Sequence, residues 1–165
     1  MSARESTAIR TAGGMLTASL LARLSRGDSS LGGLKSADFH LPAGQSPREA
    51  ANRAWTYLSG IWPAFRDAVT ALPEDDPAVR VTREQWLLQV FSELGYGRLE
   101  RTPAGGLAVG DRSYPISHAW RSTPMHLLGW NVPLDRRSKG VAGAAERAPH
   151  ALVQEFLNRS EHHLW

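Results

Sequence analysis

The sequence predicts an α+β fold, with helices in the first half and short strands gathered in the second. Three observations carry that prediction. Apolar residues recur every three or four positions as far as Leu94, and then shift to short alternating runs separated by Gly and Pro. Two capping boxes, Ser46-Pro47-Arg48-Glu49 and Thr82-Arg83-Glu84-Gln85, mark helix starts before that change of period. Beyond it, Pro149 opens one last helical run. At 165 residues the chain has room for one domain, or for a helical lead joined to a small α/β domain. We expect the helical N-terminal region to cover residues 1–80 and the α/β region residues 81–165.

Along the chain, Ile9, Ala12, Leu16, Leu20 and Leu24 predict an amphipathic helix over Ser6–Leu24, weakened by Gly13-Gly14. Residues 26–44 are rich in Gly, Ser and Asp and read as a loop anchored by Leu31, Leu34 and Phe39. After the first capping box, Ala51, Trp55, Leu58, Trp62, Phe65, Val69 and Leu72 form one apolar stripe. Pro63 lies inside that stripe; it removes a donor and crowds the preceding turn, so a kink or a second segment is expected there.

The second box leads into Trp86, Leu87, Val90, Phe91 and Leu94, with Gly95 at a left-handed stop. Arg98–Thr102, Leu107–Val109 and Ser113–Ser117 read as strands, and the apolar run Met125–Trp130 as a more buried one. Residues 133–148 form a Gly/Ala/Arg loop, and the helix from Pro149 buries Leu152, Val153, Phe156 and Leu157. Leu164-Trp165 reads as the first residues of a further strand, which makes the chain a front piece with its chemistry further on.

Composition excludes several chemistries. With no Cys there is no disulfide, no thiolate zinc ligand and no thiol nucleophile. The apolar windows are interrupted by Arg or Glu every few residues, so no bilayer span is expected. The first residues lack the apolar core of a secretory signal, which gives a cytoplasmic expectation. Only Lys35 and Lys139 are lysines, so Arg supplies nearly all of the 19 basic side chains. An Arg-rich surface suits phosphates and base edges; a GC-rich coding sequence produces the same bias.

An ordered set of short segments carries a resemblance. It runs from Trp86-Leu87-Leu88 through Leu94-Gly95-Tyr96-Gly97 to Tyr114-Pro115-Ile116-Ser117-His118. Met125-His126-Leu127-Leu128-Gly129, Leu134-Asp135-Arg136-Arg137 and the tract from Pro149-His150 to Trp165 follow. This set resembles the N-terminal region of adenine-specific DNA methyltransferases of type IIG restriction-modification and DISARM-type phage-defence systems. The resemblance implies an incomplete, degenerate restriction-endonuclease-like α/β domain ahead of a methyltransferase domain that this chain lacks. It also implies a non-catalytic front domain that contacts DNA or braces the missing methyltransferase domain, with DNA and other subunits of a defence system as partners. S-adenosylmethionine is the implied cofactor, expected only in the missing domain.

The chemistry of that family does not transfer onto these residues. Asn131-Val132-Pro133-Leu134 is the nearest string to the Asn/Asp-Pro-Pro-aromatic motif that holds a flipped adenine, and it lacks the second Pro and the aromatic. Leu94-Gly95-Tyr96-Gly97 follows a helix instead of a strand, which is the wrong context for a cofactor loop. A metal-dependent nuclease of the implied fold needs a carboxylate two residues before a Lys, and both lysines lack one. No catalytic residue is therefore assigned.

Two groups of side chains remain as candidates. Arg136, Arg137 and Lys139 place three cations in a short loop, a pattern that neutralises phosphates and that a solvated surface loop also shows. His118, His126 and Asp135 have the residue types of a two-His-one-carboxylate metal site; two partly buried histidines beside Trp120 and Trp130 are the plainer reading. Ser117-His118 is not expected to form a nucleophile–base pair, since adjacent residues seldom converge and no nucleophile elbow surrounds them. His162-His163 is likewise not expected to hold a metal.

Overall fold

The structure, a computed structural model, describes residues 16–160. They divide into two compact units between Asn52 and Arg53. The sequence places the boundary at residue 80 instead. The structural division falls inside a helix because the residues that follow Arg53, Trp62 and Phe65 above all, pack with aromatic partners from much later in the chain.

The first unit contains helix α1 (Ala18–Ser25), a 3-10 turn at Ser36–Phe39 and the opening turns of helix α2 (Pro47–Thr70). Thr17 caps α1, its hydroxyl accepting the Leu20 N–H at 3.3 Å. The part of the expected first helix before residue 16 lies outside the described residues. Ser46 and Glu49 form the expected box. The Ser46 N–H donates to the Glu49 carboxylate at 2.8 Å, and the Glu49 N–H donates to the Ser46 hydroxyl at 3.2 Å. Those bonds from Ser46 hold the Glu49 carboxyl below its usual range. No described residue of this unit is fully buried.

In the second unit α2 runs on through Pro63 without a break, so no second segment starts there. One lost backbone bond is tolerated because the next turn is anchored. The Phe65 ring is buried and lies nearly parallel to Trp86 at 5.6 Å, while Trp62 meets Trp86 edge-on at 4.6 Å. Only the later part of the predicted stripe is covered: Trp55 is 73% exposed.

Helix α3 (Val79–Val81), a π-helical stretch (Thr82–Leu87) and helix α4 (Leu88–Glu93) follow one another directly. The expected start at Thr82 is therefore incorrect. Asp76 begins the turn instead, its carboxylate accepting the N–H of Ala78 at 2.7 Å, with Ala78 left-handed. Thr82 is buried, and its hydroxyl accepts the Trp130 N–H at 2.9 Å. The extra residue of a π turn re-aims side chains, and Thr82 is the one used. Gly95 ends the helical run at φ 84, as its position predicts.

Five short strands follow. β1 (Glu100–Arg101), β4 (His118–Trp120) and β5 (Thr123–Met125) form an antiparallel sheet in the order β1-β4-β5; β2 (Leu107–Val109) and β3 (Arg112–Tyr114) form a separate hairpin. The expected strand over Met125–Trp130 is not there: pairing stops at Met125, and the next residues are irregular. Leu127 and Leu128 are buried all the same, so the apolar run records burial and not pairing.

Helix α5 (Pro149–Arg159) closes the described chain. Its Leu152 and Phe156 join Tyr114 and Ile116 in one core cluster, flanked by Leu107, Val109 and Leu157. Leu128, Val132 and Ala144 make a second, smaller cluster. The result is an α+β arrangement with small antiparallel sheets. The expected terminal strand at Leu164-Trp165 and the His162-His163 pair lie outside the described residues.

Candidate functional site

The loop 133–148 is shaped by its own backbone. Ser138 N–H donates to Ala144 O at 2.8 Å, Val141 N–H to Ser138 O at 3.1 Å, and Ala144 N–H to Val141 O at 3.0 Å. The His150 N–H, at the start of α5, donates to Leu134 O at 3.0 Å and fastens the other side. On this frame Asp135, Arg136, Arg137 and Lys139 are all exposed. Neither arginine nor Lys139 is ion-paired among the described residues. The candidate phosphate contacts are thus fixed at their base and free at their tips.

The two histidines sit close together, on and just beyond the β4–β5 pair. His118 lies opposite Met125 in the register, and His126 follows directly. Asp135 is not brought to them: among the described residues no group of three or more His, Asp or Glu side chains is arranged to hold a metal ion.

Each imidazole has a structural partner. Nε2 of His126 lies 3.0 Å from the Gly143 carbonyl, so that nitrogen carries the proton; Nδ1 is buried and unpartnered. Burial pushes the His126 pKa down, against the Gly143 bond, which raises it. His118 is 2% exposed, and its Nδ1 lies 2.9 Å from the Ser117 hydroxyl. Burial lowers its pKa first, and the charges of Arg83 and Arg101 and of His126 lower it further.

Ser117 and His118 therefore touch. The contact does not make a hydrolase. The Ser117 hydroxyl already accepts the Leu127 N–H at 2.8 Å, tying the end of β5 back to β4. The charges that act on His118 are positive, which disfavours the imidazolium that a general base must become.

Sequence reasoning missed a third cluster. The Glu155 carboxylate on α5 is engaged by Arg147, by Arg112 of β3 at 3.1 Å and by Arg159 at 3.4 Å. The Tyr114 hydroxyl donates to the same carboxylate at 3.2 Å. A cavity of about 390 Å³ opens beside it, lined by Arg112, Tyr114, Arg147 and Glu155 among others. Of these partners only Arg159, four residues on, is legible as a helical pair. The cluster joins hairpin, loop and helix around the core.

Comparison of the chain with protein-family models, with curated proteins and with solved structures finds no match.

Proposed function

We propose that this chain is a non-catalytic, DNA-contacting module, equivalent to the front portion of a restriction-modification or phage-defence DNA methyltransferase. One observation carries the reading: Arg136, Arg137 and Lys139 project from a backbone-fastened loop, exposed and without acidic partners among the described residues. Cations arranged in this way release counterions from a phosphate backbone at little conformational cost. On this reading the α+β unit is a degenerate restriction-endonuclease-like domain, S-adenosylmethionine belongs to a domain elsewhere, and other subunits of a defence system are further partners. The absence of any carboxylate two residues before a Lys supports a non-catalytic role. Fluorescence anisotropy with a labelled duplex over a salt series tests the proposal; the expected binding weakens steeply with salt and varies little with sequence.

A second reading has its own observation. Trp55 is 73% exposed and Tyr57 is 42% exposed, two aromatics on one half of α2 that contribute no fully buried surface. Large exposed aromatics favour protein partners, and a protein-interaction module would use the face of α2 that carries Trp55. The salt series separates the two readings, since only the first predicts DNA binding.

A further inference from the structure

Helix α2 has a second face, turned away from the side on which Trp62 and Phe65 meet Trp86. At about 100° per residue, Arg48, Trp55 and Arg66 lie along one edge of that face, and Glu49, Gly60 and Asp67 lie along the other. All six are exposed. Two of them have no packing reason within one chain. Trp55 is 73% exposed. Gly60, a poor helix former inside a helix of 24 residues, has no described neighbour within 4 Å of where a Cβ would stand.

Turned end for end, the two edges complement each other. A two-fold axis crossing α2 at the level between Tyr57 and Leu58 sets each edge against the opposite edge of a second copy. Arg48 then faces Asp67, and Arg66 faces Glu49, so both charge pairs join opposite signs. The bulkiest side chain of the face, Trp55, meets the one residue without a side chain, Gly60. Nearest the axis Thr56 faces Ser59, both short enough for the two backbones to come close.

We propose that the chain forms a two-fold dimer by packing this face of α2 antiparallel against the same face of a second copy. Charge complementarity selects that occupant: the signs and spacings an antiparallel partner must present are those α2 itself carries. Arg48 and Asp67 are not ion-paired among the described residues. Both bonds that Glu49 accepts from Ser46 fall on Oε2, which leaves Oε1 to meet Arg66 of the second copy. The dimer gives the Trp55 face a partner, and it holds whether or not the loop at Arg136–Lys139 binds DNA.

Sedimentation velocity of the full chain over a concentration series should show a monomer–dimer equilibrium. Trp55→Ala should raise the dissociation constant about tenfold or more. Asp67→Arg sets like charges opposite Arg48 twice in each dimer and should also weaken it about tenfold or more. Adding Arg48→Glu to that variant restores opposite signs and should recover most of the loss, a rescue specific to the antiparallel register. All the altered side chains are exposed, so circular dichroism should be unchanged; if Trp55→Ala fails to fold, the charge reversals still decide. A monomer at every concentration up to about 1 mM overturns the proposal and leaves the face to a partner of different sequence. A dimer indifferent to Trp55→Ala, or one that the double reversal leaves as weak as Asp67→Arg alone, overturns it as well.

Discussion

His126 and Gly143 are packed so closely that each defines the other's place. The imidazole Nε2–H donates to the Gly143 carbonyl at 3.0 Å, and a Cβ at residue 143 would enter the space of the ring itself. Gly143 also sits at φ 79, where L side chains are strained. Gly143→Ala therefore combines a backbone penalty with displacement of a half-buried ring. It should lower stability by about 2–3 kcal/mol in urea unfolding. A loss below about 0.5 kcal/mol would show that the ring moves aside freely and that loop and hairpin are not coupled here.

Thr82 supplies the second prediction, because its hydroxyl serves Trp130 and not the start of its own helix. Thr82→Val keeps the shape and leaves the Trp130 N–H without its acceptor. A cost of about 1–3 kcal/mol is expected, with far-UV circular dichroism unchanged. Thr82→Ser should recover most of the loss. If Thr82→Val shortens the helix instead, Thr82 acts as a cap after all.

The Glu155 cluster predicts a salt-sensitive contribution to stability. Glu155→Gln removes the charge that gathers Arg112, Arg147 and Arg159, and those three guanidinium groups then repel. The side chains are partly solvated, so the expected cost is modest, about 1 kcal/mol at low ionic strength, and smaller in high salt. Urea midpoints of both proteins at two salt concentrations measure it. A cost that does not change with salt would contradict an ionic origin for the contribution.

His118 and His126 together predict a loss of stability in acid. Both have folded pKa values below the ordinary histidine value, each through burial first. In the unfolded chain these imidazoles take up protons near pH 6.5, while in the folded chain they remain neutral to lower pH. The unfolded state therefore binds more protons in that window, and stability falls as pH drops from about 6.5 toward the folded values. Each imidazole contributes at most about 1.4 kcal/mol per pH unit. Above the window neither contributes a pH dependence. Unfolding midpoints at pH 8 and pH 5.5, for wild type and for His126→Gln, check the sign. A wild-type protein that gains stability in acid would contradict the burial of these rings.

Local chemistry was the legible part of this fold. Ser46 and Glu49, Gly95 and Pro149 each mark their element because the cause lies within a few residues. The Thr82 box failed since its hydroxyl is claimed by Trp130, 48 residues away, and no local pattern encodes that pairing. The burial of Leu127 and Leu128 is legible in the run Met125–Trp130 and their lack of strand pairing is not, because apolar runs report burial and are silent about ladder bonds. Of the candidate site, the loop cations were legible from their clustering. The Arg101–His118 pairing and the Glu155 cluster were not, because each depends on strand register or long-range packing.

The proposed DNA-contacting role is tested most directly by Arg136→Ala/Arg137→Ala/Lys139→Ala. This triple variant should fold normally, since all three side chains are exposed and none is ion-paired among the described residues. Its affinity for unrelated duplexes should fall about equally for all of them, and the magnitude of the log–log salt slope should drop by roughly 1 for each phosphate contact removed. A folded triple variant with unchanged affinity and slope would contradict the account and leave these residues as solvated surface.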